Sequence, residues 1–198
     1  MLKELNILKG YPSKSKGILL QDFLVSMFEN STSYKRSTAF FNGVLFSVIA
    51  ASMKDFFIKN NGTMKIITSP VYDFDHINTF NLINEDSSID IDNSLIDIFD
   101  LLQKEKTKEL SLKLLSLLVI EKRLEIKIAT PINLGLHHEK VGIFTDTNND
   151  AISFSGSVNE TLFGWTKNNE QIRVFKNWEE NEKKYFDIDE SNFDSLWA

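Results

Sequence analysis

Cysteine and a long apolar run are both missing from this chain. The absence of cysteine excludes disulfides, thiolate zinc sites and a cysteine nucleophile. The N-terminal residues lack the apolar stretch of a secretory signal, and the longest apolar patch, around residues 44–51, is too short to span a bilayer. We therefore expect a cytoplasmic protein that does not contact a membrane.

An excess of positive charge is missing too. The formal net charge is −6, whereas neutralising phosphates supplies most of the non-specific affinity for nucleic acid. The net charge therefore argues against a free-standing protein that binds nucleic acid over a wide basic surface. Basic residues are scattered, as in Lys35-Arg36 and Lys122-Arg123, so contact with a polyanion should be local or supplied by another domain or subunit.

Internal repeats and flexible linkers are also absent. The 198 residues match the size of one domain, and 42% hydrophobic with 25% charged residues is a globular composition. We therefore expect residues 1–198 to form a single domain with a packed core.

The spacing of apolar residues predicts an α/β fold. A strand, a helix and a second strand follow one another over residues 37–68, which is the unit of an α/β sheet. Residues 72–88 are acidic and rich in Asn, and should form a loop or short helix. Helices are predicted at 17–30, 44–59, twice within 89–121, and over part of 178–197. Strands are predicted at 37–41, 64–68, 124–128, 140–144, 151–155 and 171–175, with 140–144 and 151–155 forming a hairpin.

Polar side chains gather where this hairpin begins. Side chains of an extended segment alternate between faces, so His138 and Lys140 share one face while Val141 and Ile143 point into the core. The second hairpin strand repeats the arrangement, and Gly156 would let a ligand approach the backbone closely. On that strand Ile152 and Phe154 share one face, and Ser153, Ser155 and Ser157 the other. An imidazole is thus placed beside an ammonium.

These residues carry a family resemblance. His138-Glu139-Lys140, followed by Gly156-Ser157-Val158-Asn159 and then Asn168-Asn169-Glu170, resembles the HxK and GSxN signature of the phospholipase D superfamily. The resemblance implies a mixed β-sheet flanked by helices, the phospholipase D-like fold, with one HxK motif per chain.

The whole chain further resembles the phospholipase D-like domain that precedes helicase or translocase modules in bacterial restriction and phage-defence proteins. This narrower resemblance is carried by Ala39-Phe40-Phe41, residues 65–70, residues 142–144, Asn159-Glu160 with Gly164-Trp165, and residues 193–197. It implies either the N-terminal part of a longer helicase-containing protein or a stand-alone relative.

The chemistry that the resemblance implies needs no metal or other cofactor. His138 would attack a phosphodiester and form a covalent phosphohistidine that water later hydrolyses. Lys140 would hold a non-bridging oxygen, and Ser157 and Asn159 would add hydrogen bonds in the transition state. Glu170 would orient the imidazole of His138 through a hydrogen bond.

Two features depart from the superfamily pattern. The usual acid after the lysine would fall at Thr145, and this chain offers Asp146 one position later as a possible site residue. Asp146 and Asp150 have an alternative interpretation as turn residues of the hairpin. The mechanism also needs a second histidine as general acid, which neither His76 nor His137 should provide. We therefore expect a homodimer in which each subunit contributes one His138 and one Lys140 to a shared site.

Several residues have an ordinary structural interpretation. His76 should face solvent, and His137 should face away from His138 as a packing residue. A solvated loop explains Asp73, Asp75 and Glu85 better than a metal site does, because their spacing does not suit ligands. Four aromatic residues are better explained as core or interface than as platforms for stacking bases: Phe163, Trp165, Phe175 and Trp178.

DNA is the expected substrate, cut by an endonuclease that serves restriction or phage defence. One alternative is phosphodiester chemistry on a lipid or another small ester, which would require an exposed apolar rim around the site. Another is a non-catalytic module that binds nucleic acid or mediates dimerisation.

Overall fold

A computed structural model describes residues 1–12, 19–69, 91–130 and 135–198, although not the side chains of 91–94. Within these residues a seven-stranded sheet has the order β1-β7-β6-β5-β2-β3-β4. In chain order the strands are β1 (Gly10–Tyr11), β2 (Ser33–Thr38), β3 (Thr63–Thr68), β4 (Leu124–Ile128), β5 (Val141–Thr145), β6 (Ala151–Gly156) and β7 (Ile172–Lys176).

Helices flank the sheet, as expected. They are α1 (Ser26–Glu29), α2 (Val44–Val48), α3 (Ala50–Lys54), α4 (Ile91–Lys104), α5 (Lys108–Ile120), α6 (Leu162–Thr166) and α7 (Glu180–Trp197). A π-helical segment, Leu19–Val25, precedes α1, another, Asp55–Lys59, continues α3, and Leu2–Glu4 forms a 3-10 turn. In the described part of the chain, no helix combines the length and apolar character needed to cross a membrane.

Most predicted elements are confirmed, with shifted ends. The predicted helix 44–59 is interrupted at Ile49, whose φ and ψ of −108° and 30° leave the helical region. The strand predicted at 37–41 instead begins at Ser33 and ends at Thr38. The predicted loop or helix at 72–88 lies outside the described residues.

The sheet is mixed, as expected. Strands β2, β3 and β4 pair in parallel, whereas β5 pairs antiparallel with both β2 and β6, and β7 pairs antiparallel with β6 and β1. The register sets Arg36 opposite Gly142 and Ser37 opposite Val141. Since side chains alternate along each strand, Arg36 lies on one face of the sheet and Ser37 on the other.

The two faces of the sheet differ in what covers them. The larger core is aromatic, with Phe23, Phe154 and Trp165 in mutual ring contact. Burying each such side chain contributes about 1.5–3 kcal/mol. On the other face α7 packs on a smaller apolar cluster that includes Ile143 and Phe193. Gly142 is required on the larger-core face, because an added Cβ would overlap the ring of Phe154.

Candidate active site

The segment 137–140 enters β5 with its side chains alternating between the two faces of the sheet. Lys140 Nζ lies 3.2 Å from each ring nitrogen of His138 and 3.0 Å from its carbonyl oxygen. His137 and Glu139 instead contact Ser37, on the α7 face. These contacts set the imidazole of His138 beside the ammonium of Lys140, with His137 turned away.

Exposure separates the two members of this pair. His138 is exposed, whereas Lys140 is only 8% exposed. Burial is the main cause that lowers the pKa of Lys140 from its ordinary value of 10.5, and the Arg36 guanidinium adds to it. The carboxylate of Glu170 opposes both effects. An exposed imidazole thus lies beside a buried cation, and a desolvated cation interacts more strongly with an anion than one in water does.

The loop after β6 carries Ser157 and Asn159. Ser157 is exposed, and its hydroxyl accepts a hydrogen bond of 3.1 Å from the backbone N–H of Gln171. The Oδ1 atom of Asn159 accepts from the Phe40 backbone N–H at 3.2 Å and from the Thr38 hydroxyl at 3.4 Å. Because a backbone N–H requires an acceptor, the amide of Asn159 is oriented with its NH2 group directed away from Phe40. That group can donate to a ligand.

Glu170 is half-buried close to this loop. Its carboxylate accepts a hydrogen bond of 3.1 Å from the side chain of Asn168 and raises the pKa of Lys140. Among the described residues, no hydrogen bond joins Glu170 to His138. Catalytic hydrogen bonds commonly tighten only when a substrate is bound, so the orienting role of Glu170 stays a prediction.

Asp146 lies at the opposite end of β5 from Lys140. Its buried carboxylate accepts hydrogen bonds from the backbone N–H groups of Leu2, Asn148 and Asp150, at 2.9, 2.9 and 3.1 Å. Strand β5 separates it from the site by roughly 20 Å, at about 3.3 Å a residue. These bonds support the alternative interpretation of Asp146, which closes the hairpin turn and joins it to the N-terminus.

The serines of β6 do not line the site together. Ser155 pairs with Val141, and Ser153 donates a hydrogen bond of 2.6 Å to Asp189 on α7, so both belong to the α7 face. They are therefore separated from Lys140 by the sheet. Ser157 lies beyond the end of β6, and its contribution to the site stays a prediction. Gly156 is needed for close packing of its own chain, since an added Cβ would overlap the Gln171 carbonyl oxygen.

A buried ion pair that the sequence did not reveal lies beneath the site. Arg36 and Glu160 are both 0% exposed, and Arg36 Nε lies 2.9 Å from Glu160 Oε2. Arg36 Nη2 also donates to the Val158 carbonyl oxygen at 2.5 Å. In the sequence alone, Arg36 is one of the scattered basic residues. Its alternation with Tyr34 and Thr38, which are buried on the same strand, was the signal that could have found it.

A second polar network occupies the α7 face. The Ser37 hydroxyl donates to Glu139 at 2.7 Å and lies 2.8 Å from His137 Nε2, while Asn192 on α7 donates to the other oxygen of Glu139. Because Ser37 gives its one proton to the carboxylate, His137 Nε2 must carry hydrogen. Burial lowers the pKa of His137 from its ordinary 6.5; Glu139 raises it, and Lys140 and His138 lower it further.

The remaining candidate residues divide between core and surface. Trp165 is in the core, and Phe175 and Trp178 are half-buried, in agreement with their structural interpretation. Phe163 is 55% exposed, with Lys167 Nζ 4.5 Å from its ring centroid. Four residues with expected solvent positions lie outside the described residues: His76, Asp73, Asp75 and Glu85.

Comparison with known proteins gave similarity at the level of structure alone. No protein-family model and no curated protein matches the chain. Among solved structures it is similar to Nuc of Salmonella typhimurium, described as a phospholipase D family member, with 14% identity, a TM-score of 0.45, and coverage of 88% of this chain and 84% of that one.

Two other solved structures are similar to this chain. NucT of Helicobacter pylori has 14% identity and a TM-score of 0.48, with 95% of this chain and 93% of that one covered. Yeast tyrosyl-DNA phosphodiesterase has 14% identity and a TM-score of 0.42, with 77% of this chain but only 28% of that one covered. These TM-scores are too low to carry an argument about function.

Proposed function

We propose that this chain is a metal-independent phosphodiesterase that cleaves DNA through a phosphohistidine intermediate. One observation carries the proposal: the exposed imidazole of His138 contacts the buried ammonium of Lys140 on one face of the sheet. The amide of Asn159, oriented by Phe40, supplies a donor at the end of the neighbouring strand. A nucleophile, a cation and a neutral donor are the groups that phosphoryl transfer requires.

The chemical steps follow from these groups. A ring nitrogen of His138 attacks phosphorus as the bond to the leaving oxygen breaks, and that oxygen takes a proton from a general acid. Lys140 and Asn159 bind the non-bridging oxygens, where negative charge must be stabilised. Water then attacks the phosphohistidine, giving its proton to the same group, and the freed imidazole is restored. Glu170 orients His138 once substrate is bound.

A second copy of the chain supplies the general acid in this proposal. His137 is engaged with Ser37 on the far face, so the described part of one chain offers no second imidazole beside His138. A homodimer with His138 of each subunit in a shared site provides one.

Mixing subunits tests the shared site. Wild-type and His138→Ala chains are co-refolded in equal amounts, and phosphodiesterase activity is measured per total protein. A shared site leaves about a quarter of wild-type activity, because only pairs of intact subunits work, whereas independent sites leave about half. A value near half, or a monomeric mass in solution, contradicts the proposed dimer.

DNA is proposed as substrate because of the resemblance to restriction and phage-defence domains. The net charge of −6 makes wide electrostatic capture of DNA unfavourable. A helicase or translocase module, in the same protein or as a partner, would deliver the strand to the site. Restriction or phage defence is the proposed setting.

A lipid or other small phosphodiester is the second candidate substrate, favoured by a specific observation. Three exposed apolar residues lie near site residues. They are Phe40, whose backbone N–H donates to Asn159, Leu136, two positions before His138, and Phe163, four positions after Asn159. Such residues suit an acyl chain as well as a stacked base.

Cleavage assays in excess EDTA test the activity and its substrate together. Single-stranded DNA, double-stranded DNA and short-chain phosphatidylcholine are each incubated with the protein. We expect DNA to be cut without divalent metal, and His138→Ala to abolish cutting. Strict dependence on magnesium would count against the chemistry. Turnover of the phospholipid alone would favour the second candidate, and DNA binding without turnover of any substrate would favour a non-catalytic module.

A further inference from the structure

The buried ion pair of Arg36 and Glu160 is not needed to stabilise the fold, and its location suggests another role. It lies under the loop that carries Ser157 and Asn159, in the larger, aromatic core. Arg36 Cζ lies 5.0 Å from the ring centroid of Phe154, and Glu160 Oε2 accepts from the Tyr34 hydroxyl at 3.1 Å and from Trp165 Nε1 at 3.3 Å. The charges are thus held by an aromatic shell.

Burying the charges of Arg36 and Glu160 lowers the free energy of unfolding. Arg36 Nη1 and Glu160 Oε1 are buried without a hydrogen-bond partner in the described part of the chain. Burial raises the pKa of Glu160 even though Arg36, Trp165 and Tyr34 each lower it. Hydrophobic residues of similar volume often replace a buried ion pair without loss of stability. A role in placing other groups gives a physical reason for the charges.

The contacts of Arg36 identify those groups. Its Nη2 holds the carbonyl oxygen of Val158, the residue between Ser157 and Asn159. The next peptide is held by the end of β2 and the residues after it, since Glu160 N–H donates to the Thr38 hydroxyl at 3.2 Å and to the Phe40 carbonyl oxygen at 3.1 Å. Residues 36–40 therefore bind the loop at successive positions, and Arg36 makes the contact nearest to Ser157.

We propose that Arg36, held by Glu160, is the positioning residue of this site: it fixes the loop that presents Ser157 and Asn159 to phosphate and adds positive potential beneath Lys140. Neither residue touches the substrate in this arrangement. The inference rests on the proposed function for its activity readout, but its second readout, the titration of Lys140, is independent of turnover.

Electrostatics around Lys140 supply that second readout. Among the described residues, the groups that interact electrostatically with Lys140 are Arg36 of β2, Glu170 of the loop before β7, and His137 and His138 of its own segment. Arg36 lowers the pKa of Lys140, so removing the guanidinium must raise it. If the ammonium form of Lys140 binds phosphate, activity declines as pH rises through this pKa. The decline should then begin at higher pH when Arg36 is absent.

The main test compares two arginines that each bind a backbone carbonyl. Arg36→Lys keeps the charge but shortens the reach to the Val158 oxygen. Arg123→Lys is the matched control, because Arg123 Nη1 donates to the Phe57 carbonyl oxygen at 2.9 Å, remote from the site. We expect Arg36→Lys to lower kcat about 10-fold to 100-fold and to weaken binding of inorganic phosphate. Arg123→Lys should leave both properties unchanged.

A double variant keeps the test decisive if Arg36→Lys does not fold. Arg36→Met with Glu160→Leu removes both buried charges and should fold, as replaced buried pairs often do. In this variant we expect a low kcat and a raised pKa of Lys140, read from the NMR shifts of its ε-CH2 and Nζ groups in isotope-labelled protein.

The outcomes separate the inference from the function on which it rests. Folded Arg36→Lys protein with wild-type kcat and phosphate affinity would overturn the positioning role, as would an unchanged Lys140 titration in the double variant. If wild type shows no EDTA-resistant cleavage, or His138→Ala keeps it, the proposed function fails instead. In that case phosphate affinity and the Lys140 titration still decide for or against the role of Arg36.

Discussion

His137 and His138 are neighbours in the chain but lie on opposite faces of the sheet. His138 is exposed and contacts Lys140, whereas His137 is half-buried and bonded to Ser37 beneath α7. Two identical side chains therefore have different environments because an extended backbone turns each successive residue over. One face of the segment 137–140 provides groups that can react with a ligand. The other face joins this segment to the C-terminal helix α7.

The largest expected difference is between two single variants, in which either His138 or His137 is replaced by alanine. His138→Ala should lower kcat by about 10⁴-fold or more, because it removes the nucleophile. His137→Ala should keep activity within about tenfold, since it loses only a contact that positions the segment. Cleavage assays on both folded variants check this. Equal losses in the two variants would mean that the faces are not functionally distinct.

The next largest difference in kcat is expected between variants of Lys140 and Lys35, which lie on opposite faces of the sheet. Lys140→Met keeps the volume but removes the cation, and should lower kcat about 10²-fold to 10³-fold. Lys35 is the matched control, because it lies on the α7 face and pairs with Asp194 at 2.7 Å. Lys35→Met should cost at most about 1 kcal/mol of unfolding free energy and leave kcat near that of the wild type. Comparable kcat losses would contradict the assignment of Lys140.

A smaller effect should follow from the contact between α7 and Glu139. Asn192→Asp puts a carboxylate against the one that Asn192 now donates to, so we expect lower stability and a modest fall in kcat. Adding Glu139→Gln lets the two side chains pair again. A double-mutant cycle on the free energy of unfolding should give a coupling of about 0.5–1 kcal/mol. A coupling near zero would show that α7 does not hold the segment through this pair.

The smallest effect concerns pH and His137. Its folded-state pKa lies below the ordinary 6.5, so protonation favours the unfolded chain. The stabilisation from neutral His137 is complete above pH 6.5 and is lost as pH falls through the folded-state pKa. Denaturant unfolding between about pH 7 and 5 should show a steeper loss for wild type than for His137→Gln, which retains a donor for Ser37. Parallel curves would refute this linkage.

Periodicity was sufficient for most of the fold. The hairpin of β5 and β6, the parallel strand β3 and the two helices α4 and α5 were all predicted near their observed bounds. Strand β1 was missed because two residues are too few to show alternation. Strand β2 was displaced because Lys35 and Arg36 lie among its first residues, which therefore lack an apolar alternation.

The candidate site was predicted only in part, because local patterns do not show strand register. Motif spacing identified His138, Lys140, Ser157 and Asn159, and alternation correctly turned His137 away. Alternation also grouped Ser157 with the other serines of β6, but strand register sets Ser153 and Ser155 on the α7 face. Asp146 was a possible site residue because it lies one position after Thr145, where the usual acid would fall, and its backbone hydrogen bonds belong to the turn.

What the sequence determined by itself is local: which residues alternate, where turns interrupt them, and which reactive side chains lie two positions apart. Those properties depend on backbone geometry over a few residues. Only the tertiary structure decided that Arg36 and Glu160 meet beneath Lys140, and that Asn192 reaches Glu139. Such contacts join residues that are more than 50 positions apart along the chain, and they exist only because strand register and helix packing bring them together.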